Sequence, residues 1–557
     1  MEDCSLPQDS LFLGFDCSTQ SLKATVLDSN LTIVRSETVN YDLELPHYKT
    51  VGGVYRDPLV NGRIVSPPLM WVEALDLILE KLGNSNLEFG EIAAISGSAQ
   101  QHGSVYWKKG GSQVLSSLDS KKPLVDQLCD AFSVQESPIW MDCSTTEQCR
   151  AIEEAVGGAL ELAKLTGSRA HERYVGPQVK KIFEEQSEVY DNTESISLVS
   201  SFMASVLVGG YACIDQTDGA GMNLMDIKSR VWSKIALEAT APGLEEKLGK
   251  IAPSHSVAGL IASYYVKKYH FNRNCVVVHW SGDNPNSLAG ESSSSFHSWQ
   301  PLTNCLSLHK FSHDSVFGIT ADYNPSLEGH VFPNPVDTRS YMVMLVYKNG
   351  SLTREGLGKS SILSCNKHHL RMVVSFVIYI GGKIGFYYKE HEILPPLPVG
   401  FHRYIVKGFN GDSPEEQEVE AFDPPSEARA IIEGQLLSMR AHAERFDSAS
   451  LGAALRAAHG WLCNKNGTYV SISSMYTNKL EKTSLDSKLA ALPGDPETFA
   501  KYTSLMKKRL EIENLLVQKF GRYCNRCMMH PPPSSKAMFV FIEFRLSFLE
   551  DPSTFLY

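Results

Sequence analysis

The chain opens on alternating apolar and polar positions. LFLGFDC (11–17) reads as an apolar strand, STQS turns it, LKATVLD (22–28) alternates back, and LTIVRSETV (31–39) follows a polar Ser29-Asn30 turn. A period of two over short runs joined by tight turns predicts a three-strand meander. The period then lengthens. PPLMWVEALDLILEKLG (67–83) has a proline start, an apolar stripe and a terminal glycine, the marks of a helix. IAAIS (92–96) is a short strand running into the polar loop GSAQQHG, and TTEQCRAIEEAVG (145–157), ELAKLTG (161–167) and PQVKKIFEEQSEVY (177–190) read as helices. CVVVHW (275–280) is a continuous apolar, β-branched run, which predicts a strand buried on both faces. Strands alternating with helices predict an α/β fold.

In the second half PSEARAIIEGQLLSMRAHAERF (425–446) is an amphipathic helix and SASLGAALRAAHGWL (448–462) a helix of small residues. Between Glu291 and Gly381 the patterning is uneven, and no internal repeat of about 20–50 residues is evident. The most apolar run, Met372 to Ile380, is too short for a bilayer span of about 20 residues.

Composition narrows the class. At about 100–200 residues per domain, 557 residues imply two or more domains. The formal net charge of -11 argues against a nucleic-acid or acidic-membrane binder, because phosphate binding wants basic surface. Twelve cysteines without a repeating spacing suit a reduced intracellular chain. The acidic, polar start MEDCSLPQDS carries no signal or transit pattern. The expectation is a cytoplasmic protein that handles small molecules.

Three stretches could carry chemistry. In FDCSTQSLKA (15–24), a strand-end acid precedes small hydroxylated residues in a tight turn. Such a turn can aim N–H and hydroxyl groups at phosphate oxygens, with Asp16 holding a Mg²⁺ that bridges them. It equally suits a hairpin whose Asp and Ser satisfy turn N–H groups. In SGSAQQHG (96–103), Gln100, Gln101 and His102 are neutral donors and acceptors suited to a polyol, or simply a polar loop with a partly buried histidine. In SGDNPNSLAG (281–290), Asp283 stands at the carboxyl end of a buried strand, where open α/β sheets place ligands. It could take a proton from a substrate hydroxyl during phosphoryl transfer, or Asp/Asn before Pro285 could be only a helix cap. Weaker signals are Asp218 in the turn TDGAGMNLMD (217–226), Arg169 in LTGSRAHERY (165–174), and Cys524-x-x-Cys527 with His530, which is half a zinc site without a second pair. The serines at 292–295 read as a loop.

Taken in order, FDCSTQSLKA, AQQHG, SPIWMDCSTTEQCR, LTGSRAHERY, DQTDGAGMN and GDNPNSLAG resemble the eukaryotic xylulokinases of the FGGY carbohydrate kinase family, almost without interruption from about residue 11 to 290. The match resumes in SVFGIT (315–320), LEGHVFPNPVD (327–337), NGSLTRE (349–355), GGKIGFYY (381–388) and the two helical stretches after 425. The resemblance implies two actin-like, ribonuclease-H-like domains with a central cleft. Residues 11–285 would form the sugar-binding domain and 286–521 the nucleotide-binding domain, after a tail at 1–10 and before an atypical tail at 522–557. It implies phosphorylation of D-xylulose by ATP with Mg²⁺, giving D-xylulose 5-phosphate and ADP. Asp283 matches the catalytic base. His102, Arg169, Asp283 and Asn284 match sugar-contacting positions with Gln101 beside them. Asp16, as metal ligand, with Ser18 and Thr19 matches the first phosphate loop, where the wider family usually has Gly in place of Ser18. The expected partners are the sugar and ATP, with no nucleic acid or membrane, in a monomer or homodimer.

The chain leaves the family's pattern at 291–314, at 356–380 and at 446–447. The second phosphate loop is replaced by LSLHKFSHDS (306–315), where His309 and Lys310 stand in place of glycine. GLGKSSILSCNKHHLRMVVSFVIYI replaces a helix bearing a tryptophan near the nucleotide. Arg445-Phe446 runs straight into Asp447-Ser448, where the family has a strand, a Gly-Gly-Ala adenine-site turn and a helix. These edges are sharp. They imply an incomplete C-terminal domain and an alternative to the kinase reading: a non-catalytic sugar-binding relative, or a splicing or gene-prediction product without a complete nucleotide site.

Overall fold

The structure is a computed structural model. It describes residues 6–60 and 62–291 and then segments at 305–308, 314–320, 325–335, 339–347, 382–389, 397–407, 415–423 and 496–520, with isolated residues between. The chain divides into two compact units, one of Met1–Trp299, Ala321–Met342 and Ser450–Ser487, the other of Gln300–Thr320, Val343–Ala449 and Lys488–Tyr557.

The first unit is built on the predicted meander. β1 (Leu11–Cys17), β2 (Ser21–Leu27) and β3 (Ile33–Asn40) pair antiparallel in sequence order. Helix α1 (Pro68–Asn84) follows, burying Met70, Trp71, Ala74, Leu75, Ile78, Leu79 and Leu82 along one stripe. The chain then returns as β4 (Ile92–Ala99), parallel to β1. Helix α2 (Val199–Val208) is buried almost all round and packs on β4. β5 (Val257–Leu260) pairs antiparallel with β6 (Val276–Val278), and β6 and β7 (Ser281–Gly282) both pair parallel with β4. α3 (Asp283–Glu291) starts at the end of β7.

Register is what matters for function. Across the sheet Asp16 pairs with Ser98 and Cys17 with Ala99, while Ser281 pairs with Ser98 and Gly282 with Ala99. The carboxyl ends of β1, β4 and β7 therefore finish level. The Gln100 N–H donates to the Cys17 carbonyl at 2.9 Å just beyond that line. Asp16, Gln101 and Asp283, far apart in sequence, leave the sheet at one edge.

Two expected elements are broken. The strand expected at 275–280 is confined to Val276–Val278, because His279 turns its N–H to Ser256 O and Trp280 lies over β4 to stack on Phe15 at 5.6 Å. The helix expected at 177–190 divides at Gln186, whose φ of -141° and ψ of 55° leave the helical region, giving Val175–Glu185 and Ser187–Asp191.

In the second unit β8 (Lys383–Tyr388), β9 (Gly400–Lys407) and β10 (Glu415–Glu418) form an antiparallel meander. Ile384, Phe386 and Tyr388 pack on Leu505, Ile512 and Leu516 of α4 (Pro496–Phe520), a helix that sequence reading did not anticipate. Arg509 of α4 donates to the Gly385 carbonyl at 2.7 Å and lies 4.0 Å over the Phe386 ring. Among the described residues of both units no helix is long and apolar enough to cross a membrane, and none of the described cysteines is in a disulfide.

Candidate active site

The site begins with the β1–β2 turn. Asp16 lies directly opposite Lys23, whose Nζ is 2.5 Å from the Asp16 carboxylate. The Ser18 hydroxyl and N–H both donate to the Ser21 carbonyl, at 2.9 and 3.0 Å, so the turn satisfies itself. The Thr19 hydroxyl receives the Trp140 indole N–H at 2.9 Å and faces the Gln100 side-chain carbonyl at 3.4 Å. Gly53 closes on the Thr19 carbonyl so tightly that a Cβ there would stand 1.9 Å from it. These contacts fix the backbone of the turn from three sides.

Asp283 begins α3 at the end of β7. The Asn284 backbone N–H and side-chain Nδ2 both donate to its Oδ1, at 2.8 and 3.0 Å. Burial pushes its carboxyl up to about 7, the negative charge of Asp16 pushes the same way, and the N–H groups of Asn284 and Gln101 oppose them. A carboxylate poised near neutrality can take a proton and later release it.

Around Asp283 stands a neutral amide and imidazole surface. Gln101 accepts from Asn284 Nδ2 at 2.7 Å. His102, at a left-handed φ of 64°, is buried; its Nδ1 lies 3.0 Å from the Gly221 carbonyl and its ring packs on Tyr174 at 4.5 Å. His330 continues this aromatic wall, with its Nδ1 2.8 Å from the Tyr174 hydroxyl, and burial holds its imidazole down to about 3, hence neutral. Arg169 is held side-on by Glu153, through Nε at 3.2 Å and Nη2 at 3.1 Å. Asn223 donates to the Arg169 carbonyl at 3.3 Å and so ties that loop to the 214–223 turn.

That turn joins the parts. Asp215 accepts from Ser281 Oγ at 2.6 Å, Asp218 faces Gln101, and Gly221 meets His102. The structure thus brings Asp16, Gln101, His102, Asp283 and Asn284 together, with Thr19 beside Gln100, and it pairs Arg169 with Glu153. Sequence reading did not single out Trp140, Tyr174, Asp215 and His330 as parts of this assembly, although each lies in a stretch that resembles the family. Each acts through a partner remote in the chain, which the stretch itself does not reveal.

Among the described residues no group of three or more His, Cys, Asp or Glu could hold a metal alone. Asp16, half-buried and ion-paired with Lys23, would offer a divalent cation a single carboxylate donor, one whose charge is felt by Asp283.

The raised carboxyl of Asp283 has a stability consequence. An unfolded Asp titrates near 4 and the folded one near 7. Below about 4 both states are protonated; above about 7 both are ionised and the folded state carries the full burden, so this residue subtracts stability as pH rises between them. Asp283→Asn keeps the acceptor for Asn284 without the charge. It is expected to melt higher than the native protein at pH 8, with the difference shrinking towards pH 4.5. Equal shifts at both pH values would contradict this origin.

Residues 11–290 match the N-terminal domain of the FGGY family of carbohydrate kinases. The chain is 59% identical to xylulose kinase 2 of Arabidopsis thaliana over 565 aligned positions, covering 94% of this chain and 100% of that one. Those figures leave roughly forty aligned positions without a residue in this 557-residue chain. It is 41% identical to xylulose kinase of Rattus norvegicus, covering 91% of this chain and 97% of that one. In fold it is similar to the solved xylulose kinase from Rhodospirillum rubrum (TM-score 0.70, 14% identity, 92% and 100% covered). It is also similar to ligand-bound xylulose kinase from Lactobacillus acidophilus (TM-score 0.67, 17% identity, 92% and 100% covered). The α/β architecture is thus the actin-like, ribonuclease-H-like fold expected from the sequence. With a family match over residues 11–290 and relatives 59% and 41% identical over 94% and 91% of it, the chain belongs to the FGGY family of carbohydrate kinases.

Proposed function

We propose that the protein phosphorylates D-xylulose with ATP, giving D-xylulose 5-phosphate and ADP. The observation that carries the reading is Asp283, held near neutrality at a strand end between an uncharged amide surface and Asp16. Relatives named xylulose kinase at 59% and 41% identity supply the sugar's identity.

Asp283 accepts the proton of the 5-hydroxyl as its oxygen attacks the γ-phosphorus and the bond to the ADP oxygen breaks. Gln101, His102, Arg169 and Asn284 hold the sugar's hydroxyls. Asp16 would hold Mg²⁺, and Ser18 and Thr19 would line the phosphate turn. When bound, Mg²⁺ neutralises charge on the phosphate oxygens. The chain contributes position and a prearranged field, the main resources available to phosphoryl transfer.

The same reading assigns sugar binding to residues 11–285 and nucleotide binding to 286–521, in a cytoplasmic monomer or homodimer without nucleic-acid or membrane partners. The alternative of a non-catalytic relative rests on 291–314, 356–380 and 446–447. These stretches lie almost wholly outside the described residues, as do Cys524, Cys527, His530 and the serines at 292–295. Within 306–315, only Leu306–Leu308 and Asp314–Ser315 are described, as strand.

A coupled ADP-release assay over a panel of ketoses and polyols tests the proposal. The expected result is D-xylulose as the fastest acceptor and loss of turnover when EDTA removes Mg²⁺. ADP release no faster with D-xylulose than without any sugar would overturn it.

A further inference from the structure

Asp218 is 2% exposed, and the proposed reaction gives it no role. Its Oδ2 accepts from Ser200 Oγ at 2.6 Å, and its Oδ1 lies 3.4 Å from the side-chain nitrogen of Gln101. The packing here leaves no slack: a Cβ on Gly282 would stand 2.4 Å from Gln101 Cγ and 2.7 Å from Asp218 Oδ1.

The polarity of these groups follows link by link. Burial raises the Asp218 carboxyl to about 7, so at pH 8 it is mostly ionised and can only accept, and the Gln101 amide turns its NH₂ towards it. Its carbonyl then faces Asn284 and must be met by a donor, which is Asn284 Nδ2 at 2.7 Å. The same Nδ2 serves Asp283 Oδ1 at 3.0 Å, so both of its hydrogens are taken. What remains is Asn284 Oδ1. It is buried, in a residue 5% exposed, and has no hydrogen-bond partner among the described residues. A buried acceptor left unfilled is unfavourable unless something arrives to donate to it.

We propose that Asp218 is a positioning residue that fixes the Gln101 amide, so that Gln101 and Asp283 together hold Asn284 with its carbonyl presented as an acceptor to one hydroxyl donor of the sugar. Asp218 does not touch the sugar; through Gln101 it secures one of the two acceptors that keep Asn284 in that direction. The inference rests on the reading of Gln101, Asn284 and Asp283 as a sugar site. It adds a specificity rule: one substrate hydroxyl is read as a donor, and the reading fails when the relay can reverse.

The test is sugar discrimination at pH 8, by calorimetric binding to the full chain of D-xylulose and each of its monodeoxy analogues. In the native protein one analogue is expected to bind about 10-fold or more weakly than D-xylulose, since a site built around a hydroxyl rejects the compound lacking it. In Asp218→Ala the Gln101 amide is free to turn and Asn284 is held by Asp283 alone, and that ratio is expected to fall to about 2–3-fold. Asp218→Asn can keep its carbonyl towards Gln101 while Ser200 accepts from its NH₂, so it is expected to restore most of the ratio. A merely structural role would reduce the active fraction and leave the ratio unchanged; that result overturns the proposal, as does a native protein that discriminates against no analogue. Should Asp218→Ala not fold, Gln101→Met cuts the relay one link later and is expected to erode the same ratio. Ketose binding without turnover would sink the kinase reading and leave the ratio to judge this one, whereas no ketose binding at all would sink both.

Discussion

Asp283→Asn is expected to lower D-xylulose phosphorylation by about 10²–10⁴-fold, the usual contribution of a positioned general base. Asparagine keeps the shape and the acceptor that Asn284 holds at 2.8 and 3.0 Å, so the loss falls on proton acceptance. In the native enzyme kcat/KM is expected to rise with pH through about 7, where burial holds the Asp283 carboxyl, and then to level off. Because the Asp16 charge contributes to that elevation, the limb should move to lower pH where Mg²⁺ neutralises Asp16. Coupled ADP release across pH 5.5–9 at two Mg²⁺ concentrations measures both effects. An Asp283→Asn enzyme with native kcat would remove Asp283 from the chemistry and with it the mechanism proposed.

Gly97→Ala should be among the most damaging substitutions in the first unit. Gly97 lies on β4 under the Trp280 indole, and a Cβ there would stand 2.2 Å from Cδ2 and 2.3 Å from Cε2 and Cε3 of that ring. Trp280 is 1% exposed and stacked on Phe15, the residue before Asp16, so the ring has no free volume to enter. Overpacking of a dense core typically costs about 1–3 kcal/mol and here meets a rigid ring, which places the effect at or above the top of that range. The indole can yield only by displacing Phe15 or by moving the chain between β6 and β7, and either disturbs a strand end carrying Asp16 or Asp283, the carboxylates of the proposed site. Chemical denaturation is expected to show a lower midpoint, with activity falling further than the folded fraction explains. A native midpoint would mean that Trp280 can relocate without consequence.

Much of this was legible in the chain. β1, β2, α1 and β4 fall within a few residues of their expected limits because period two and period 3.6 are local properties of sequence. Motif order carried the family and the strand-end positions of Asp16 and Asp283. Arg169 was less legible: a loop arginine carries no sign of its partner, and the buried Glu153 that holds it lies on the helix Thr146–Val156. Ser18 was ambiguous between phosphate loop and plain hairpin, and its hydroxyl closes the hairpin. Helix α4 went unread although Leu505, Ile512 and Leu516 share a face, since nothing nearby in the sequence announces the sheet that covers them.

The sequence by itself determined the elements, the family and which residue types stand at the strand ends. Only the tertiary structure decided that Asp16, Ser98 and Ser281 share one level of the sheet, that the turn at 214–223 reaches Ser281, Gln101 and His102, and that Asp218, Gln101 and Asn284 stand in series. The physical reason is that local periodicity records which face a residue buries and not which partner it meets. Parallel pairing between β1, β4 and β7 joins segments separated by long stretches of chain. The direction of a buried amide is set by its neighbour's capacity to donate or accept, which exists only once the fold has brought that neighbour within hydrogen-bonding distance.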